Sequence, residues 1–340
     1  MEEGQGPAPW PEMQRGTAIA LILGVAAAGA AVVYAGAGAV AQAVASVRIS
    51  GLAVLVLLHL PIVVLMGFAW WLASGDDPPA SQWRFVWARF VRDAAGDILP
   101  FLQFGGIAFG VRALGRGRAM VGAVSASVDG IIELTAKLPY AFAALLALLA
   151  LAPQPRLTRL LSLALGATGV LVAILLFARR SLGAWLHAVT RAISVRWPGV
   201  LGLNDDLTGR DVQACFGRIL SQRGRLGLDF TLQLCCSCLG AGEAWVTFRL
   251  LGVDLTLSQA LAIDGTVVML RTFGFMVPAA AGVQEASYML AAAVFGIPPG
   301  AAIAASFARR ARDLVLGVGT LGIAAVGDTN FAVPRHSPLD

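Results

Sequence analysis

Charge is scarce in this 340-residue chain. Only 13% of its residues are Asp, Glu, Lys or Arg, against about 25% in soluble domains. Lysine is nearly absent: Lys137 is the only one, so arginine carries the net charge of +5. A chain so poor in charge has no room for a sizeable soluble domain. Its basic excess reads as membrane topology, and nucleic-acid binding is not expected. Histidine is rare too, with 3 residues, and neither HExxH nor GxSxG occurs. The usual metal-hydrolase and serine-hydrolase centres therefore lack their core residues. No Walker A motif is present, which excludes that ATP-binding loop, and no cofactor is expected. Of the 4 cysteines, Cys235, Cys236 and Cys238 fall in one apolar stretch. Cys235 and Cys238 have CxxC spacing but no partner ligands elsewhere. All 4 are expected as small apolar core residues.

What is present is apolar. The chain is 58% hydrophobic, with a mean hydropathy of +0.76. The predicted fold is an all-α polytopic membrane protein with about six full transmembrane helices and two re-entrant or broken segments. The spans are expected at residues 17–34, 52–71, 120–151, 160–177, 226–250 and 301–326. Residues 1–16 read as a disordered tail, 17–326 as one membrane domain and 327–340 as a second tail. A cleaved signal peptide is the rival reading of 17–34, but Glu2, Glu3 and Glu12 before it face only Arg15. Within the domain, residues 179–225 form an arginine-rich connection. Leu182, Trp185, Leu186, Val189 and Ile193 follow helical spacing there, as on a helix lying at an anionic membrane surface. Thr208 and Asp211 could cap a second short helix carrying Val212, Cys215, Phe216 and Ile219.

Two hydrophobic segments cannot cross a bilayer as plain helices. In residues 261–297, Asp264 and Arg271 interrupt the first half, and Pro278, Gly282, Gln284 and Glu285 break the middle. In residues 81–114, Pro100, Gly105 and Gly106 break a run preceded by Arg89, Arg92, Asp93 and Asp97 and followed by Arg112. The uninterrupted runs left over, 286–297 and 98–111, fall short of the ~20 residues a span needs. One interrupted segment in each half points to a transporter-like site between inverted repeats.

Ionisable groups also sit inside the predicted spans. Asp129, Glu133 and Lys137 share one helical face, as a structural pair or as a stripe lining a cavity. His59 stands two residues before Pro61 and is expected to satisfy backbone freed by a kink, with proton relay as the alternative. The candidate buried cations are Lys137, Arg271, Arg309, Arg310 and Arg312. The candidate acids are Asp129, Glu133, Asp229, Glu243, Asp264, Glu285 and Asp313. Their near balance allows a self-neutralising network. By the positive-inside rule 179–225 is cytoplasmic, with both termini, Arg112, Arg116 and Arg118; Arg48, Arg156 and Arg159 fall outside. The two broken segments then enter from opposite sides.

The stretches RFVRDAAGDILPFLQFGGIAFGVRAL, AIDGTVVMLRTFGFMVPAAAGVQEASYML and ARRARDLVLGV resemble the lysylphosphatidylglycerol-synthase transmembrane (flippase-like) family, most closely its hopanoid-biosynthesis-associated branch. The positions matching the family's motifs are Arg89, Asp93, Pro100, Gln103, Gly105, Gly106, Arg112, Arg271, Pro278, Gly282, Gln284, Glu285, Arg310, Arg312 and Asp313. Asp264 departs from an expected glutamate, Lys137 from an expected glutamine, and Pro278 is followed by Ala rather than Gly. The resemblance implies a multi-pass inner-membrane protein that moves or handles lipid, without aminoacyl transfer. Lipids, hopanoid or phospholipid, are the implied partners; hopanoid-synthesis enzymes and a second copy of the chain are further candidates. Arg271 and Glu285 are expected to hold a head group. Arg310 and Arg312 are expected to meet phosphate or the acids of 120–151. Glu243, Asp129 and Glu133 are candidates for a hydroxylated or amino head group. A scaffold for lipid-synthesis enzymes and an intramembrane lipid-modifying enzyme are the rival readings.

Overall fold

The computed structural model describes residues 37–98, 102–115, 118–152, 155–177, 209–273 and 282–327. Among them the regular structure is helical: α1 (Ala37–Leu72), α2 (Gln82–Ile98), α3 (Leu102–Ala113), α4 (Ala119–Leu151), α5 (Pro155–Phe177), α6 (Gly209–Ser221), α7 (Arg223–Leu250), α8 (Leu257–Phe273), α9 (Val283–Ala293) and α10 (Pro299–Gly327). The span expected at 17–34, the tail 1–16, all of 327–340 but Gly327, residues 179–208, and the break prolines Pro100 and Pro278 lie outside the described residues. The prediction of an all-helical membrane fold holds. Among the described residues, three helices are long and apolar enough to cross a bilayer: 47–72, 119–151 and 155–175. Helices α7 and α10, with 28 and 29 residues, have the length, which needs ~20 residues, but carry more charge. Helix α1 is broken at Arg48, whose φ of 55° is costly for a residue with a Cβ.

The surface is the reverse of a soluble protein's. Leu57, Phe142, Leu163, Val170, Ile174, Val318 and Ile323 are all exposed, while Arg89, Asp129, Asp229, Glu243, Asp264, Glu285 and Arg312 are buried. Lipid tails are as apolar as leucine, so burying leucine gains little there. Close packing and internal hydrogen bonds hold such a bundle together. The glycines show it. A Cβ on Gly106 would stand 2.5 Å from the Arg92 carbonyl oxygen, and one on Gly110 2.8 Å from Arg92 Cβ. These two glycines, one helical turn apart, let α3 fold back onto α2. At Gly67 a side chain would run into the Val86 backbone, where α1 crosses α2, and at Gly265 into Ala144, where α8 crosses α4. Around the first hairpin, Trp70 packs edge-on against Phe85 at 5.5 Å and donates its indole N–H to Ser125 Oγ at 3.0 Å.

The bundle is a repeat. A long helix, a two-helix hairpin and a second long helix (α1, α2–α3, α4) recur as α7, α8–α9, α10. Helix pairing obeys the same exchange. Helix α1 packs on α2 and α4, as α7 does on α8 and α10. Helix α4 packs on α7 and α8, as α10 does on α1 and α2. Helices α1 and α7 pair with each other, antiparallel: His59 meets Glu243, Cys236 meets the Ile62 carbonyl, and Arg225 reaches the Leu72 carbonyl. An antiparallel central pair makes the second half an inverted copy of the first. Helix α5 lies outside the repeat against α4 and α8, and α6 lies against α4. The short helix expected after Thr208 is α6, and Val212, Cys215, Phe216 and Ile219 are its buried face.

Candidate functional site

Each half carries one buried ion network joining its hairpin to its last helix. In the first half, Arg89 of α2 donates to Asp93 Oδ2 at 2.9 Å and lies 3.4 Å from Asp129 Oδ2 and 3.5 Å from Glu133 Oε2 on α4. Arg92 donates to Asp129 at 3.0 Å, and Lys137 to Glu133 at 2.9 Å. The face predicted for Asp129, Glu133 and Lys137 is real, and it binds the hairpin. Gln233 of α7 donates to Asp129 Oδ1 at 2.8 Å. In the second half, Arg309 of α10 donates to Asp264 Oδ1 at 2.8 Å and to the Tyr288 hydroxyl at 3.0 Å. Tyr140 of α4 donates to Asp264 Oδ2 at 2.6 Å.

The two networks are charge-swapped counterparts. Arg89 and Asp264 are each the eighth residue of a hairpin's first helix. Asp129 and Arg309 are each the eleventh residue of a half's last helix. Helix–helix contact at equivalent positions is kept while the signs are exchanged. A buried charge needs only an opposite partner, so either polarity satisfies the site.

Glu285 is already engaged. Its Oε2 accepts the backbone N–H of Gly282 at 2.8 Å, which caps α9, and Gly282 has a φ of 76° that glycine tolerates best. Its Oε1 accepts from Arg310 at 2.7 Å and from Ser306 at 3.1 Å. Gln284 donates to Ser306 Oγ at 2.9 Å. These contacts fasten the second hairpin to α10. Arg310 and Arg312, expected to meet phosphate or the acids of 120–151, meet other acids: Arg310 is on Glu285. Arg312 pairs with Glu243 of α7 and, at 2.6 Å, with Asp313. The reason is packing: α10 lies against α1, α2, α7 and α9, and the arginines of α2 have taken the acids of α4. His59 also departs from its expected role. Its Nδ1 is 2.9 Å from Glu243 Oε2, a side-chain partner rather than backbone freed at Pro61.

Two ionisable groups remain at the tips. Arg271 lies near the C-terminal end of α8 and makes no ion pair among the described residues. Asp97 lies at the corresponding end of α2 and is exposed. Arg271 attracts both Asp97 and Asp313 electrostatically. Trp83, near the start of α2, meets Phe68 near the end of α1, so α2 runs back along α1. Trp245 bonds the Leu255 carbonyl where α7 turns into α8. The two hairpins therefore enter from opposite ends, and the far ends of their first helices bring Arg271 and Asp97 within electrostatic reach of each other. Arg112 is in the last turn of α3, and the Gln103 side chain is outside the described residues.

Sequence reasoning placed the charges but missed Tyr140, Tyr288, Gln233 and Ser306 as their hydrogen-bonding partners. One signal was there: Tyr140 extends the stripe of Asp129, Glu133 and Lys137 by a further three residues. The core reading of the cysteines holds for Cys215 and Cys236; Cys235 and Cys238 are exposed on α7.

No curated protein and no solved structure matches this chain. A family model does: the one described as the lysylphosphatidylglycerol synthase TM region matches residues 21–319, across both halves of the repeat. The chain is a membrane protein belonging to the lysylphosphatidylglycerol synthase TM-region family.

Proposed function

We propose that this protein moves lipid between the leaflets of the inner membrane, with the head group held where the two hairpin tips meet. Family membership supports a role in membrane lipid chemistry. The observation that carries the transport reading is the convergence of Arg271 and Asp97 from oppositely directed hairpins, each left over from the paired networks around it. Backbone breaks at membrane depth persist where they line a pathway, so the hairpins are re-entrant. Arg271 supplies donors for a phosphate, and Asp97 an acceptor for an ammonium or hydroxyl on the same head group. A phosphate-bearing lipid satisfies both; a hydroxylated hopanoid satisfies Asp97. The lipid's apolar body stays among the exposed leucines and valines of the bundle surface. Glu285, Gln284, Arg310 and Ser306 hold the second hairpin in place, and His59, Glu243, Arg312 and Asp313 tie α1, α7 and α10 together. Both termini are cytoplasmic in this arrangement, and the protein carries out no covalent chemistry.

The test is translocation in proteoliposomes, following labelled phosphatidylglycerol, phosphatidylethanolamine and a labelled hopanoid. Losing one hydrogen bond to a charged group costs about 1.5–3 kcal/mol, so Arg271→Ala and Asp97→Asn should each slow the preferred lipid at least about tenfold while the protein stays folded. Transport that survives both substitutions refutes the site. No transport of any lipid by folded wild-type protein refutes the carrier reading and favours a scaffold.

A further inference from the structure

One fully buried acid has no counterpart in the pairing. Asp229 of α7 is fully buried, and neither of its carboxylate oxygens has a hydrogen-bond partner among the described residues. One turn on, Gln233 spends its amide N–H on Asp129, which leaves its Oε1 buried and without a donor. Three acceptor oxygens from the same face of α7 are thus gathered in one dry place.

No cation pairs with Asp229 among the described residues; Arg225, one turn earlier on α7, is engaged with the Leu72 carbonyl and the Trp71 ring. The adjoining network is balanced within itself: Arg89, Arg92 and Lys137 against Asp93, Asp129 and Glu133. From α4, Asp129 and Glu133 repel Asp229; from α2, Arg89 attracts it but is committed to three acids; on α7 the Gln233 amide, spent on Asp129, offers it only a weak polar neighbour. The facing part of α1, residues 62–72, carries no titratable side chain. Helices α8 and α10 approach α7 at Gly240, next to Asp264 and Arg309, eleven residues or about 16 Å along the helix. An uncompensated carboxylate in such a place costs several kcal/mol, and two acceptors side by side gain nothing from each other. A small cation resolves both at once. Oxygen-only donors suit a hard ion, and the single formal charge suits a monovalent one.

We infer that Asp229 and Gln233 form a buried site for one monovalent cation, Na⁺ or a proton, on the central helix pair of the repeat. The inference does not depend on lipid transport. As a site that also touches Asp129 through Gln233, it gives an ion gradient a grip on the network that holds the first hairpin.

The experiment uses purified full-length protein in detergent. Saturable ²²Na⁺ binding is measured by scintillation proximity, and proton binding by titration across neutral pH. Wild type should either bind one Na⁺, with release of a proton on binding, or bind one more proton than Asp229→Asn. Asp229→Glu, which keeps the charge, should retain the behaviour at lower affinity. If Asp229→Asn does not fold, thermal stability of the wild type in NaCl against choline chloride at equal ionic strength, over the same pH range, replaces the comparison. Wild type that binds no Na⁺ and equals Asp229→Asn in proton binding overturns the inference. In the replacement experiment, stability indifferent to both Na⁺ and pH overturns it.

Discussion

The pair between Arg309 and Asp264 offers the sharpest test of the buried networks. Asp264 is 1% exposed and Arg309 14%. Substituting Asp264→Asn keeps an acceptor for the Tyr140 hydroxyl but leaves the Arg309 guanidinium without its anion. Breaking a buried ion pair by removing one partner costs about 3–5 kcal/mol, because the surviving charge stays buried. At roughly 2–4 °C per kcal/mol, the melting temperature should fall on the order of 10 °C. The informative comparison is the double variant Asp264→Asn with Arg309→Met, which removes the stranded charge. It should recover at least half of the loss. The swapped variant, Asp264→Arg with Arg309→Asp, reproduces the polarity of Arg89 and Asp129 at the equivalent positions. It too should be more stable than either single change. Melting would be followed by fluorescence-detected size exclusion after heating in detergent. If the double variant loses as much as the two single losses added together, the residues do not act as a pair and the charge-swap argument fails.

Two other consequences can be checked in the same assay. Glu285→Gln weakens both the cap on α9 and the clasp to Arg310, and should cost about 2–4 kcal/mol; a loss below about 0.5 kcal/mol, the range of ordinary surface substitutions, would contradict the clasp. Gly265→Leu places a side chain where Ala144 already stands and should cost about 1–3 kcal/mol by parting α8 from α4, whereas Gly130→Leu, in open space on α4, should be near neutral.

The helices were legible because composition and run length dictate them. The ends of the broken segments were legible too, since charge and glycine cannot continue a lipid-facing run. Asp129, Asp229, Glu243, Asp264, Glu285 and Arg312 are buried as expected, but the buried Arg89 was not among the expected cations, and the pairing was not legible. Tyr140 and Asp264 are 124 residues apart and Arg310 and Glu285 25, and nothing local to either partner selects the other. Arg312, expected on phosphate or the acids of α4, pairs with Glu243, because helix packing decides which acids an arginine can reach. The repeat escaped direct reading for a related reason. Its counterpart positions hold opposite charges, so the two halves match in geometry and not in residue type. Asp229 looked like one acid among seven until the pairs were drawn and it was left over.

That the first half carries its own balanced network bears on how the protein is made. Arg89, Arg92, Asp93, Asp129, Glu133 and Lys137 all precede residue 152. A nascent chain that has emerged as far as Leu151 therefore already holds every ion pair of its first network, and can leave the translocon for lipid without waiting for the second. The second half brings its own pairs and then adds the contacts between halves, Gln233 to Asp129 and Tyr140 to Asp264. Biosynthesis can proceed as two insertions and one docking, with the charges of the first network paired before the second half arrives.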